Sequence, residues 1–212
     1  MATIADVAKD WDDMAGEWTS GEHSGSVMEF NRRAEELFRA KVTNLADKDV
    51  LEFGAGHGVL GMALAPDCRS VHLIDVAPKM IEEAKKKIAE KGLPNVQASC
   101  CDIMADCPFT EASFDAIVSG SVLTFAPDLP GTLAKLAAGT RTGGIALHIL
   151  FKSDEAKAEV RPRGRADALS YNDGMTEAQL KDEMEASGFA ALEFGEIAVD
   201  GCTWMWGLFR KS

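Results

Sequence analysis

The chain has 212 residues, with 22 Lys and Arg against 34 Asp and Glu and a net charge of -12; that is long enough for one domain with a sizeable core and short for two. Such a field repels polyanions, so no nucleic acid is expected as a partner, and no uninterrupted apolar run reaches the roughly 18 residues that a membrane span requires. The five cysteines are an odd count, Cys100 and Cys101 are adjacent, and neither a CxxC pair nor a secretory leader is read, so reduced thiols in a cytoplasmic setting are expected and no metal site is.

In chain order, a Trp- and Gly-bearing segment from Trp11 to Gly25 precedes an amphipathic helix marked by Phe30, Ala34, Leu37 and Phe38. Short apolar runs then alternate with amphipathic stretches: Val50 to Phe53, Ser70 to Asp75, Asn95 to Cys100, Phe114 to Gly120 and Ile145 to Phe151 read as strands. Between them Met80, Ile81, Ala84 and Ile88 repeat at helical spacing, as do Leu129, Leu133, Leu136 and Ala137. A loop of unusual length runs from Lys152 to Gly174. Thr176 can cap a helix that carries Leu180 and Met184 and ends at Gly188. Two strand-like runs, Ala191 to Val199 and Thr203 to Arg210, follow with Asp200-Gly201-Cys202 between them as a hairpin turn. The expected fold class is α/β: a mostly parallel sheet flanked by helices and closed by an antiparallel pair.

The chemistry-bearing stretch is LEFGAGHG, Leu51 to Gly58. A strand that ends in Gly54-Ala55-Gly56-His57-Gly58 and runs into the apolar helix Val59 to Ala65 lets backbone N–H groups and a helix N-terminus approach a ligand. The dinucleotide pattern GxGxxG fails from Gly54, because Val59 stands where its third glycine belongs. A shifted match at Gly56, Gly58 and Gly61 begins after the strand has ended. Glu52, close to the turn, would repel a pyrophosphate and suits a ligand with a cationic group.

With Glu52 ahead of it, this stretch resembles the glycine-rich motif of class I S-adenosylmethionine-dependent methyltransferases. Asp75 at the end of VHLID resembles the family's second-strand carboxylate, which accepts from both ribose hydroxyls, and Val76 to Met80 is similar to the helix start that places an apolar Met80 near the adenine. Cys101-Asp102-Ile103 sits where the family presents an Asp to the adenine amino group beside a backbone N–H, and Phe114 to Ser119 resembles its fourth-strand motif. Trp11 to Ala15 looks like the segment that covers the cofactor in small-molecule members, with Trp in place of the more usual Tyr. The resemblance runs in order from Asp49 to Phe209 and implies a Rossmann-like seven-stranded sheet with its last strand antiparallel. It implies S-adenosyl-L-methionine as cofactor, held by Trp11, Glu52, Gly54, Ala55, Gly56, Gly58, Asp75, Val76, Met80, Asp102, Ile103 and Ser119, and a small-molecule methyl acceptor as partner.

Residues 1–212 then form one domain: a helical cap over 1–44, a cofactor core over 48–151, a substrate-side loop over 152–175, and a C-terminal helix with hairpin over 176–212. Each site residue has a structural alternative. The glycines can serve a bare turn, Asp75 can cap a helix ahead of Pro78, Asp102 can turn the chain before Ala105, and Glu52 can hold backbone N–H groups. His57 reads as solvent-facing, His148 as a core residue or one facing the acceptor, and the cysteines as buried. The acceptor is expected over Ser119 to Phe125, the long loop and Trp18 with His23; Arg161, Arg163 and Arg165, with Tyr171 after them, are a solvated run or a site for an acidic group. The fourth strand lacks the Asn/Asp-Pro-Pro-Tyr end of enzymes that methylate amide or adenine nitrogens. The competing functions are an NAD(P)-dependent oxidoreductase in the shifted glycine register and a noncatalytic cofactor-binding module.

Overall fold

A computed structural model describes residues 3–18, 24–105, 109–152, 175–199 and 201–212. His23, Arg161, Arg163, Arg165, Tyr171, Asp200 and the side chain of Trp18 lie outside the described residues.

Two helices, α1 (Ile4–Trp18) and α2 (Ser24–Lys41), precede β1 (Asp49–Phe53), α3 (Val59–Leu64), β2 (Ser70–Asp75), α4 (Pro78–Lys91), β3 (Val96–Cys100), β4 (Phe114–Gly120), α5 (Leu129–Gly139) and β5 (Thr140–Phe151). The chain closes with α6 (Glu177–Ala186), β6 (Phe189–Val199) and β7 (Cys202–Lys211). The seven strands form one sheet in the order β3-β2-β1-β4-β5-β7-β6, parallel up to β5 and antiparallel where β7 joins β5 and β6. The expected α/β class, with its mostly parallel sheet and antiparallel end, is the observed one.

Alternation along the strands divides the core between two faces. Val50, Val71, Leu73, Ala116, Val118, Leu147 and Ile149 pack with Ala34 and Phe38 of α2 and Leu60 and Leu64 of α3. Leu51, Ile74, Ile117, Ala146 and Leu150 pack with Leu133 and Leu136 of α5 and Leu180 and Met184 of α6. Burial on both faces is why the central strands read as nearly continuous apolar runs. Thr176 forms the expected capping box with Gln179, and α4 stops at Gly92 in the left-handed region.

Three readings change. The segment from Trp11 is helical up to Trp18, inside α1, because Val7, Trp11 and Ala15 recur at a spacing of four and give one apolar stripe. The fifth strand begins at Thr140 instead of Ile145; it runs through Gly143, at φ 79, and takes up a register shift against β4 between Phe114 and Ala116. β6 begins at Phe189, directly after Gly188 turns the chain at φ 85.

At the N-terminal end of the strands, Asp49 and Asp115 share Arg69 and Arg141, with Asp115 Oδ2 also accepting from the Asp49 N–H at 2.9 Å. This network pins β1 and β4 at the end opposite the glycine turn. The other end is free to form a crevice, since β1 leads to β2 on one side while β3 crosses over to β4 on the other.

Candidate cofactor site

Gly54, Gly56 and Gly58 all lie in the left-handed region, at φ 67, 52 and 69, where an L side chain is strained. They differ in what surrounds them. A Cβ on Gly54 would stand 2.3 Å from Val122, and one on Gly58 would stand 2.4 Å from Leu73. A Cβ on Gly56 meets only Met80 Sδ, at 3.9 Å. Gly54 and Gly58 therefore serve packing as well as the turn, whereas Gly56 borders open space. The turn is tied down by Ala55 N donating to Ile74 O at 2.9 Å and Gly58 N donating to Ala55 O at 2.8 Å.

Asp75 ends β2 facing this turn. Its Oδ2 accepts from Gly56 N at 2.8 Å and its Oδ1 from Ala77 N at 2.9 Å. One carboxylate thus fixes both the glycine turn and the entry to α4, and each oxygen keeps a second lone pair. Burial raises its pKa, against the lowering effect of the Ala77, Gly56 and Val76 N–H groups.

Above Asp75, α1 crosses the start of α4. Asp12 Oδ1 accepts from Lys79 N at 2.8 Å, and Trp11 packs with Ala15, Ala77 and the buried Met80. The Trp11 ring also meets Phe125, after β4, edge-on at 5.5 Å. Trp11 therefore spans the crevice mouth from the β2 side to the β4 side. On the third-strand side, Asp102 Oδ1 accepts from Met104 N at 2.8 Å and Ala105 N donates to Asp102 O at 3.0 Å. Asp102 makes the turn that was its structural alternative, while Ile103 points into the core.

Four polar candidates, Glu52, His57, Ser119 and His148, are buried. Glu52 is 5% exposed and aims beneath α3, where its Oε2 accepts from Gly61 N at 2.8 Å. Gly58, the N-cap of α3, has no side chain to satisfy that donor, so the strand supplies the carboxyl. Burial drives its pKa up to about 8, against the Gly61 bond and helped by the nearby Asp75 charge. Ser119 is fully buried and hydrogen-bonded to His148 Nδ1 at 2.8 Å, so its side chain does not line the crevice. His148 is equally buried, its pKa pushed down to about 4 by burial, and does not face an acceptor. His57 is buried too, because residue 57 faces inward in the glycine turn. Cys100 is exposed, its Sγ 3.6 Å from Val76 O, while Cys101 is buried.

Sequence reasoning placed the segment after β4 beside the acceptor but missed its contacts with the cofactor side: Val122 seals Gly54 and Phe125 meets Trp11. These contacts join distant parts of the chain, and no local pattern announces them. Among the described residues no group of His, Cys, Asp and Glu has the arrangement of a metal site, and no helix is long and apolar enough to cross a membrane.

The family described as "Methyltransferase domain" matches residues 50–144, from β1 into β5. Residues 50–144 belong to that methyltransferase-domain family. Aklanonic acid methyltransferase of Streptomyces sp. (strain C5) is 38% identical over 117 residues, which is 53% of this chain and 51% of that protein. Malonyl-[acyl-carrier protein] O-methyltransferase of Halorhodospira halophila is 29% identical over 158 residues, 69% of this chain and 52% of its own length. The chain spans about half the length of these relatives. Among solved structures, 1,6-didemethyltoxoflavin-N1-methyltransferase of Burkholderia thailandensis, with 1,6-didemethyltoxoflavin and S-adenosylhomocysteine bound, has a TM-score of 0.77 at 20% identity, covering 100% of this chain and 92% of that one. This likeness shows the fold.

The crevice fits S-adenosylmethionine. The space a Cβ on Gly56 would fill is open, Asp75 stands at its edge with an unused lone pair on each oxygen, and Trp11 and Met80 supply apolar walls. Gly56→Ala tests this directly. The added methyl meets nothing closer than 3.9 Å in the protein, so folding stability from thermal melting should fall only by the backbone cost of about 1–2 kcal/mol, while S-adenosylhomocysteine affinity measured by calorimetry falls at least about tenfold. In Gly54→Ala the collision with Val122 should make the larger loss one of stability.

Proposed function

We propose that the protein transfers a methyl group from S-adenosylmethionine to a small-molecule acceptor. The observation that carries this reading is Asp75, held by the Gly56 and Ala77 N–H groups with both oxygens at the crevice between β1 and β2. In the proposed site Asp75 accepts from the ribose, Asp102 and the turn at Ile103 border the adenine, Trp11, Val76 and Met80 supply apolar surface, and Gly54 to Gly58 present backbone N–H groups to the methionine part. Glu52 contributes through the oxygen not committed to Gly61, and Ser119 through its backbone alone.

When bound, the cofactor supplies an electrophilic methyl group on a sulfonium. The chain's own work is alignment and exclusion of water: the glycine turn and Asp75 fix position, and the Trp11–Phe125 contact closes the mouth above them. The relatives carry names of methyltransferases for aklanonic acid, a malonyl-[acyl-carrier protein] and 1,6-didemethyltoxoflavin; the first and third are small molecules, which supports that acceptor class here. One methyltransferase domain over 1–212 in a cytoplasmic setting completes the reading.

A dinucleotide enzyme is the second reading because Gly61 does pack α3 tightly onto the sheet, its missing Cβ leaving 2.4 Å to Leu73, as the third glycine of such a motif would. The strand-end turn at Gly54 and the matched family favour the first. Calorimetry with S-adenosylhomocysteine and NADH, followed by radiolabelled methyl transfer across metabolite classes, separates them. Saturable NADH binding without S-adenosylhomocysteine binding would overturn the methyltransferase; S-adenosylhomocysteine binding without transfer to any acceptor would favour a noncatalytic module.

A further inference from the structure

Helix α4 begins without a cap of its own. Its N-cap is Ala77, which has no side-chain acceptor, and Pro78 follows, so the N–H groups of the first turn need partners from elsewhere. Two carboxylates provide them. Asp75 Oδ1 accepts from Ala77 N at 2.9 Å, and Asp12 Oδ1, arriving from α1, accepts from Lys79 N at 2.8 Å. Lys79 is the second residue of α4, a position that a capping side chain normally serves, so α1 supplies from another helix the bond that Ala77 cannot make. The two acids stand close enough for the Asp12 charge to raise the Asp75 pKa. One helix end thus carries both the residue proposed to hold the ribose and the residue that docks α1.

The apolar contact beside this bond is small. Trp11 and Ala15 of α1 meet Ala77 and Met80 of α4 in a cluster separate from the two that flank the sheet, and an element with few buried apolar contacts opens locally more readily than the main core. Yet Trp11 reaches from this cluster to Phe125 across the crevice mouth. We infer that Asp12 is a positioning residue that latches α1 over the cofactor crevice, and that a ligand donating ribose hydroxyls to Asp75 tightens the latch by relieving the repulsion between the two carboxylates. An occupied Asp75 shares its charge with the new donors, so Asp12 meets a weaker like charge at the same helix end. Closure then has the differential interaction that a ligand-driven shift requires, and by linkage a docked α1 retains the ligand. The inference rests on the methyltransferase reading and adds to it the device that admits and holds the donor.

The test uses the full chain, free and saturated with S-adenosylhomocysteine. It reads amide hydrogen exchange over residues 4–18, the span of α1, together with the release of tritiated ligand into excess unlabelled compound. In wild type the ligand should slow α1 exchange at least about tenfold. Asp12→Ala removes the bond to Lys79 N and should speed both α1 exchange in the free protein and ligand release about tenfold, the effect of losing a helix cap. Asp12→Asn keeps an oxygen for Lys79 N, and Asn caps as well as Asp, but it carries no charge for Asp75 to repel. Its free protein should therefore exchange no faster than wild type, while the slowing brought by the ligand shrinks about threefold, the effect of one exposed charge pair. A cap that serves folding alone would lower the thermal midpoint of Asp12→Ala and leave release as in wild type. Unchanged release in Asp12→Ala, no slowing of α1 exchange by ligand in wild type, or a slowing in Asp12→Asn as large as in wild type overturns the inference. Failure of the wild type to bind S-adenosylhomocysteine overturns instead the reading beneath it.

Discussion

Asp75→Ala lowers the affinity for S-adenosylhomocysteine by about 100-fold or more. The carboxylate accepts from Gly56 N and Ala77 N, at 2.8 and 2.9 Å, and in the proposed site it also accepts from the ribose. A hydrogen bond to a charged group contributes about 1.5–3 kcal/mol, so two lost ribose bonds amount to about 3–6 kcal/mol, or a factor of about 10²–10⁴. The variant also releases the Gly56 N–H and loosens the turn on the other side of the ligand, which pushes in the same direction. Asp75→Asn keeps one acceptor oxygen and should fall between wild type and alanine. Because burial raises the Asp75 pKa, the wild-type affinity should weaken on acidification as the carboxylate takes up its proton, and the alanine variant should lack that part of the pH dependence. Calorimetry across pH checks both, with thermal melting to confirm that each variant is folded. An alanine variant that binds as tightly as wild type would remove Asp75 from the site.

The strands and the glycine turn were legible because each is a local pattern: apolar runs for strands buried on two faces, and GAGHG where a backbone must turn with positive φ. Asp75 was legible because its position at a strand end fixes what it faces. The aim of Glu52 was not. Its place on β1 fixes which face it takes, but whether a carboxyl there serves a ligand or the N-terminus of α3 depends on the missing cap at Gly58, a three-dimensional deficit. His57 was hidden similarly: a polar residue beside a motif reads as exposed until the packing around it is known, and it is buried. The Phe30–Trp204–Ser121 cluster joins residues far apart in sequence.

Binding of S-adenosylhomocysteine near neutral pH should release a proton from Glu52, and the release should be absent in Glu52→Gln. In the ligand-free protein, burial holds the Glu52 pKa near 8, up from 4.5, so the group is mostly protonated at pH 7. If its remaining oxygen meets the cationic amino group of the ligand, directly or through a water, the charged form is favoured and the proton leaves. Calorimetry in buffers of different ionisation enthalpy counts it: a difference approaching one proton between wild type and Glu52→Gln is expected, and no difference would confine Glu52 to its structural bond with Gly61. The same shift has a consequence for stability. An acid whose folded pKa lies above its unfolded value binds more protons when folded, so its contribution is complete below about pH 4.5 and is lost as pH rises toward about 8. At about 1.4 kcal/mol per pKa unit, the loss is up to about 5 kcal/mol. His57, His72 and His148 act oppositely, since burial lowers their pKa values and stability rises with pH up to about 6.5. The comparison is therefore made above pH 6.5, where they are neutral in both states. Glu52→Gln keeps an acceptor for Gly61 N and cannot ionise, so its urea midpoint should hold between pH 7 and 8.5 while that of wild type declines. Parallel curves for the two proteins would mean that Glu52 ionises at its ordinary pKa, and the expected proton release would fall with it.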